Sequence, residues 1–470
     1  MKEENKKILT QEDWERKDGL RYQLQQKGFT KELIDFGAFL EAQGFSRYIE
    51  NVSFHQFNFH NFSLIRLEFH ECNFAGCDFR NASLLSSQLT KCNFTKTKWL
   101  DSTWMEVSFN ACNLFHAEMI YSTFQNVSIK NSMLSGSYWN HARLIELQIY
   151  NTVLDESVFY STSIHDSSIS HAELKDALWI QNAGEFLQTN CKITSTNRPI
   201  VGMAWDFLQR GTFSPYIDEA LRDNGAIVLK IEMQPKTVDV LKLSEEMTRS
   251  LNTRIKSDSS TIAEKIFYET SKNPEVDRIS VNARSLLDYC NALVLPGGED
   301  IESELYTRGA EPAKQRDYRR SVTEISLLAH AHKQKIPVMG ICRGSQMINV
   351  YFGGTLRQLP KDEKSWQDLT LSSSSKKGEI QQWIGGTTLP AFSMHHQASD
   401  KIGDSLEIIM EREGIPKLLM THDSQFIGVQ FHPEAYLIKD LIGGPPEAIH
   451  NKGIYQLFFS KILQHQMQNV

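Results

Sequence analysis

A chain of 470 residues is longer than one ordinary hydrophobic core accommodates, so two or three domains are expected. With 40% hydrophobic and 23% charged residues the composition is that of a globular protein, and a formal net charge of -7 offers no basic footprint, which argues against nucleic acid as a partner. No run of about eighteen apolar residues occurs, so no membrane span is expected, and the charged opening MKEENKKILTQEDWERKDG has no apolar segment of the secretory type. The seven cysteines follow no disulfide pattern and fit a reducing compartment. A cytoplasmic address is expected, with export by a route that reads no N-terminal signal left open.

Residues 1–49 read as a helical cap, with two helices between residues 10 and 44. In the second, Thr30 is placed as N-cap, Phe29 and Ile34 have the spacing of a hydrophobic staple, and Gly44 stands just past the end. From Phe54 a large apolar residue then recurs every fifth position as far as Trp179, through Phe59, Leu64, Phe69, Phe74 and Phe79 onward. Two places before each, from Cys72 on, stands a mostly small residue, such as Cys77, Ala82, Ser87, Cys92, Thr97, Ser102 and Cys112. A period of five matches neither a helix nor a flat strand, whereas a solenoid that turns a corner every five residues buries both rows.

Residues 50–180 resemble the pentapeptide-repeat family. The resemblance implies a right-handed quadrilateral β-helix with four repeats to a square turn, a rod of roughly 30 Å at the usual ~4.8 Å strand spacing. Cys72, Cys77, Cys92 and Cys112 fall in the small inward row and read as packed thiols. Some members of that family mimic DNA with an acidic surface, but here acidic residues outnumber basic ones only slightly. The rod shows no chemistry of its own and is expected to be a scaffold on which a protein partner docks. Residues 181–197 lose the period, are polar, and read as a linker.

From residue 198 to 470 short apolar strands alternate with amphipathic helices, the pattern of an α/β domain with a mainly parallel sheet. The segment Gly340-Ile341-Cys342-Arg343-Gly344 sits where the buried strand IPVMGI passes into the helix SQMINVYFGG. Glycines on both sides of the cysteine permit a sharp strained turn that lifts the thiol above the sheet. The helix N-terminus then faces the sulfur and favours thiolate. The backbone N–H of Arg343 is placed to bind an oxyanion, and Pro296-Gly297-Gly298 supplies a second donor at Gly298. In FIGVQFHPEA, alternation along an extended segment brings His432 and Glu434 to one side, a base and its orienting carboxylate.

The motifs GICRGSQMINVYFGGTL, PGG, MHHQ and GVQFHPE, in this order, resemble the class I glutamine amidotransferase superfamily, which has a flavodoxin-like fold. They are most similar to its γ-glutamyl-γ-aminobutyrate hydrolase-like branch. The resemblance implies a Cys342, His432, Glu434 triad, attack on a γ-glutamyl amide, a thioester and its hydrolysis; no spacing of Cys, His, Asp or Glu forms a zinc site and no Gly-rich phosphate loop occurs, so no metal or cofactor is expected. It implies substrate contacts from Gln346, His395 and His396, with Asp317, Arg320, Glu324 and Tyr216 in support. Three features depart from the branch. An extra helical stretch runs from Pro235 to Ile279, the segment from Lys361 to Ala391 is short, and Phe392 precedes Ser393 where Asn is usual. The apolar stripe of the insertion (Val240, Leu241, Leu243, Met247, Leu251) has two surfaces available, the rod and the rim of the site, and the rim is favoured. Two further functions stay open: a glutaminase subunit that delivers ammonia to a separate partner, and an interaction protein whose rod binds a protein target.

Overall fold

The computed structural model describes residues 6–16, 19–27, 33–205, 213–233, 274–306 and 318–468. The chain divides into two compact units, Met1–Asn197 and Arg198–Val470.

In the first unit each coil takes twenty residues. Phe124 pairs in parallel with Trp104 on one side and Leu144 on the other, and Ile129 likewise with Phe109 and Ile149. Two faces of the square are continuous sheets of nine and seven strands, while the other two are held largely by single bridges such as Ser53↔Asn73 and Asn58↔Asp78. The large residues therefore stack in columns. Phe54, Phe74 and Phe94 lie ring on ring at 4.9 and 4.7 Å, and Phe59, Phe79 and Trp99 at 4.7 and 3.8 Å. The small row does more than leave room. The indole N–H groups of Trp99, Trp104 and Trp139 donate to the hydroxyls of Thr97, Ser102 and Ser137, each two residues earlier, so these three indoles are buried with their N–H groups paired. Two residues after each large one the backbone turns with φ near +55°, as at Gln56 (55°), Lys91 (54°) and Glu146 (55°). That conformation costs a non-glycine residue roughly 1–2 kcal/mol, and the corner N–H offsets it by bonding to the next coil, as Gln56 N does to Ala75 O at 3.0 Å.

The N-terminal cap differs from expectation. Thr30 and Phe29 lie outside the described residues, and Ile34 belongs to the short strand Ile34–Asp35, not to a helix. The helix Phe36–Ala42 starts later because Asp35 caps it, its carboxylate accepting from Ala38 N at 2.9 Å. Two further helices, Gln11–Glu15 and Leu20–Lys27, and a strand Lys7–Leu9 paired to Phe45–Glu50 complete the cap. Trp14 closes the first coil, edge-on to Phe54 at 4.7 Å and to Phe57 at 5.0 Å. Phe57, Phe62 and Leu67 occupy the small row at this end, where the capping side chains meet the interior.

Residues 181–197 are not a linker but part of a further coil. Strands Leu187–Thr189 and Lys192–Thr194 pair in parallel with Ser168–Ser170 and Glu173–Lys175. Ser163 bridges Ala183 at the usual twenty-residue step, but Ser168 meets Leu187 and Glu173 meets Lys192 at nineteen. One residue is missing from the corner, so the period breaks in the sequence while the coil continues in space.

The second unit contains β1 (Ile200–Trp205), α1 (Ser214–Asp223), β2 (Ile227–Glu232), α2 (Pro274–Leu287), β3 (Ala292–Leu295), α3 (Tyr318–Gln334), β4 (Val338–Ile341) and α4 (Arg343–Tyr351). It continues with β5 (Leu356–Leu371), α5 (Lys377–Ile384), β6 (Thr388–Ser399), β7 (Leu406–Arg412), β8 (Ile415–Thr421), β9 (Phe426–Val429) and α6 (Lys452–Gln468). They form one sheet in the order β2-β1-β3-β4-β9-β8-β7-β5-β6. The first five strands are parallel, as the alternation with helices predicts, and the last four add an antiparallel flank. The segment 361–391, expected to be a shortened loop, forms much of the β5–β6 arm with α5 between the strands. The insertion from Pro235 lies outside the described residues up to 273, and its end enters α2.

The aromatic columns carry a direct test. Phe79 lies between Phe59 and Trp99 with no solvent exposure. Phe79→Ala should cost about 3–5 kcal/mol, and Phe79→Leu under about half of that, read from urea denaturation followed by circular dichroism. A loss under about 1 kcal/mol for the alanine variant would show that the columns do not hold the coils together.

Candidate active site

Three loops at the carboxyl ends of the parallel strands meet at Cys342, which stands between β4 and α4 with φ +51° and ψ -105°. The strain has a local cause. A Cβ on Gly340 would collide with the backbone of Gly344, and one on Gly344 with the carbonyl of Leu295 in β3. The helix leaves the sheet at so close a crossing that only glycine fits on either side of the cysteine. Cys342 is 6% exposed, and its Sγ lies 3.8 Å from Met394 O and 3.8 Å from Gln430 Nε2. As the first residues of α4, Arg343 and Gly344 present N–H groups without intrahelical partners.

His432 and Glu434 reach each other by a route other than the extended one expected. β9 ends at Val429, and Pro433 opens a 3-10 turn, Pro433–Ile438, that curls Glu434 back. Glu434 Oε1 then sits 2.8 Å from His432 Nδ1, with both side chains buried. Burial by itself would lower the imidazole pKa, but the Glu434 carboxylate and the Cys342 sulfur outweigh it and raise it to about 10. The Tyr455 hydroxyl of α6 lies close enough to Glu434 for that charge to add to burial in raising its pKa. Gly297 packs against the pair: a Cβ there would lie 3.2 Å from His432 Cε1 and 3.5 Å from Cys342 Cβ.

The PGG turn is oriented from beneath. Arg320 Nη2 donates to the carbonyls of Pro296 and Gly297, each at 3.0 Å, and a Cβ on Gly298 would collide with the Arg320 guanidinium. In a trans peptide the N–H points opposite to the C=O, so fixing the Gly297 carbonyl on Arg320 aims the Gly298 N–H away from it. Arg320 is itself held by Glu324 at 2.8 Å, and Glu324 also pairs with Arg343. The Arg343 guanidinium further donates to Ser321, whose hydroxyl donates to Glu302 at 2.6 Å. The Arg343 side chain is thus committed to the buried network, and only its backbone N–H is left to face a substrate.

Gln346 is buried, and its amide donates to Gln397 O at 2.6 Å and Gln430 Oε1 at 3.2 Å. Both donors brace the strands around the site, which leaves its carbonyl oxygen for any other contact. His395 and His396 separate, as neighbours on a strand must. His396 Nε2 lies 2.7 Å from Asp300 in the loop after PGG. His395 Nε2 is 3.0 Å from Glu363 Oε2 and 3.2 Å from Lys417 Nζ, while its buried Nδ1 has no partner among the described residues. Burial first, and then the lysine charge, lower the pKa of His395 against the pull of Glu363. Burial would raise Glu363, but hydrogen bonds from His395 and Lys417 hold its carboxyl at about 2.

Sequence reasoning passed over Gln430, Glu363, Lys417, Tyr455 and Phe213. Gln430 was open to view inside GVQFHPE, two residues from His432. The others sit in segments of no motif, and only folding brings them near the cysteine. Asp317 lies outside the described residues. Among the described residues no cluster of His, Cys, Asp and Glu has the arrangement to hold a metal ion, and no helix is long and apolar enough to cross a membrane.

A cysteine on a strand-to-helix elbow, facing a His–Glu pair above a parallel sheet, defines a hydrolase or amidotransferase-like enzyme of the glutamine amidotransferase class. The profile of the family Peptidase C26 matches residues 274–434, and that of pentapeptide repeats matches 68–98. A protein of Schizosaccharomyces pombe provisionally named a glutamine amidotransferase is 29% identical over 38% of this chain and 72% of its own. The protein NtpR of Enterococcus hirae is 31% identical over 32% of this chain and 70% of its own. A solved glutamine amidotransferase from Methylobacillus flagellatus aligns at 15% identity over 56% of this chain and 95% of its own, with a TM-score of 0.33. The chain belongs to the glutamine amidotransferase-like Peptidase C26 family, joined to a pentapeptide-repeat β-helix.

The charge on His432 can be measured. Imidazole ¹⁵N shifts should show it protonated at pH 8, with a midpoint near 10. In Glu434→Gln the midpoint should fall well below that, because burial then acts with less opposition. A neutral His432 at pH 7 in the unaltered protein would show that Glu434 does not hold the charge.

Proposed function

We propose that the second unit hydrolyses γ-glutamyl amides through a thioester on Cys342. The observation that carries this reading is the strained Cys342 beside an imidazole tied to Glu434 at 2.8 Å. The sulfur attacks the amide carbon and the C–S bond forms, its proton residing on His432. The oxyanion that develops is held by the N–H groups of Gly298 and Arg343. His432 passes the proton to the departing nitrogen as the C–N bond breaks. Water then gives a proton to His432 and attacks the thioester, the C–S bond breaks, and the proton returns to sulfur as the acid leaves. Glu434 keeps the imidazole in the required orientation throughout.

The unpartnered Nδ1 of His395, the carbonyl of Gln346 and the partly exposed His396 are the groups proposed to hold the γ-glutamyl end. The Peptidase C26 match supports hydrolysis, and the relatives' amidotransferase names support a glutamine-derived acyl half. The repeat rod, which has no comparable constellation, serves in this reading as a docking scaffold for a protein partner.

Incubating the full chain with a panel of γ-glutamyl amides, and assaying glutamate and ammonia separately, tests this. Glutamate should appear with each cleaved amide, and Cys342→Ala should lower turnover by at least about 10⁴-fold with the melting temperature nearly unchanged. Sustained turnover in Cys342→Ala would remove the nucleophile assignment. Cleavage of glutamine alone, with substituted amides untouched, would instead favour a glutaminase that passes ammonia onward.

A further inference from the structure

Beside the proposed triad the described residues build a wall that takes no part in the chemistry so far described. Phe213, just ahead of α1, stacks on the His432 ring with centroids 4.4 Å apart and an interplanar angle of 27°. Phe392 follows at 6.0 Å from Phe213, and Trp366 of β5 at 5.5 Å from Phe392. Tyr216, Met394 and Ile442 are half-buried and pack against this cluster. Trp366 directs its N–H away, to Ile442 O at 3.2 Å, so its apolar face is what remains for the wall.

The position of the wall, not its hydrophobicity alone, gives it meaning. A leaving nitrogen that takes its proton from His432 must come within hydrogen-bond reach of that ring. Its substituent then runs out over the residues that surround the ring. The acyl half is directed elsewhere, since its carbonyl oxygen must turn to the N–H groups of Gly298 and Arg343. Met394 ties the wall to the nucleophile, because its backbone carbonyl lies 3.8 Å from Sγ. None of the six wall residues is charged. Among the described residues, the ionisable groups around the site and the wall are bound to one another, Glu363 to Lys417 and His395, Asp300 to His396, and Lys439 to Asp440. A carboxylate or ammonium on the amine half would lose water against this wall and find no uncommitted counter-charge among the described residues. A phenyl or branched alkyl group would bury apolar area and meet aromatic faces.

We infer that the amine released by this enzyme is apolar, an arylalkyl or branched-alkyl amine, and not an amino acid or a polyamine. This rests on the amide-hydrolase reading of the same site. Three γ-glutamyl amides with a common acyl half separate the cases: the phenethylamide, the ethylamide and the 4-aminobutyrate conjugate. With the full chain, kcat/KM for the phenethylamide should exceed both others at least tenfold. Phe213→Ala should shrink that ratio to about threefold or less. Met394→Gln, close in volume and so tolerant of the fold, should also shrink it. Equal rates for the three, or preference for the 4-aminobutyrate conjugate, would overturn the inference. Calorimetric binding of the same three compounds to Cys342→Ala protein keeps the two readings apart. Tighter binding of the phenethylamide there, with no turnover by the unaltered protein, would defeat hydrolysis and leave the apolar subsite standing. Equal binding there would defeat the apolar subsite whatever the turnover.

Discussion

The crossing of α4 over β3 and β4 is so close that the chain passes between strand and helix only with Cys342 in a conformation that L-residues avoid. A backbone of this kind costs on the order of 1–3 kcal/mol and persists where its surroundings over-determine it. Here they do so from three directions. Cys342 N donates to Val429 O at 2.7 Å, Gly344 rests on the carbonyl of Leu295, and Gly428 packs against Ser345. Strands β3, β4 and β9 are thereby locked around one residue. From that lock follow the lifted sulfur, the free N–H groups at the start of α4, and the nearness of β9, whose continuation brings His432. Loosening any of the three contacts would relax the turn and with it the alignment of nucleophile and base.

Beneath this turn lies a second layer that does its work through charge. Arg320, Glu324 and Arg343 are almost wholly buried and pair through Glu324, with Ser321 and Glu302 extending the chain. Buried ions of this sort are weak evidence for stability, because desolvation consumes most of their attraction. Their value here is directional. Arg320 grips two consecutive carbonyls of the PGG turn, and the peptide planes then have no freedom to turn their N–H groups inward. The same network also pulls the long side chain of Arg343 out of the substrate space, so that residue offers a fixed dipole in place of a mobile charge.

How much of this was legible in the sequence depended on whether a local rule governed the residue. The five-residue period announced the solenoid because each coil repeats the same steric problem. The glycines flanking Cys342 announced the turn because no other residue passes the crossing. The 3-10 turn at Pro433 was misread as extended, since an i, i+2 spacing fits both, and only the proline at its start hinted otherwise. Glu363, Lys417 and Tyr455 belong to three different elements and Phe213 precedes a fourth, and no spacing rule joins residues so far apart in the chain. The left-handed corners were equally hidden, because Lys, Glu and His occupy them beside the expected Asn. There the inter-coil hydrogen bonds override local preference.

The nineteen-residue step near Gly184 has a consequence for how long the rod is. A stack of coils propagates only while every side keeps phase with the one below, as threads of a screw do. Dropping one residue puts the polar Gln188 against Ile169, in the column of large residues, with its neighbour Leu187 exposed at 72%. Five residues on, Ile193 falls on Leu174 and the column of large residues is recovered. The corner closes up by one residue and the sides regain phase, so the rod runs on past the point where the five-residue period stops in the sequence.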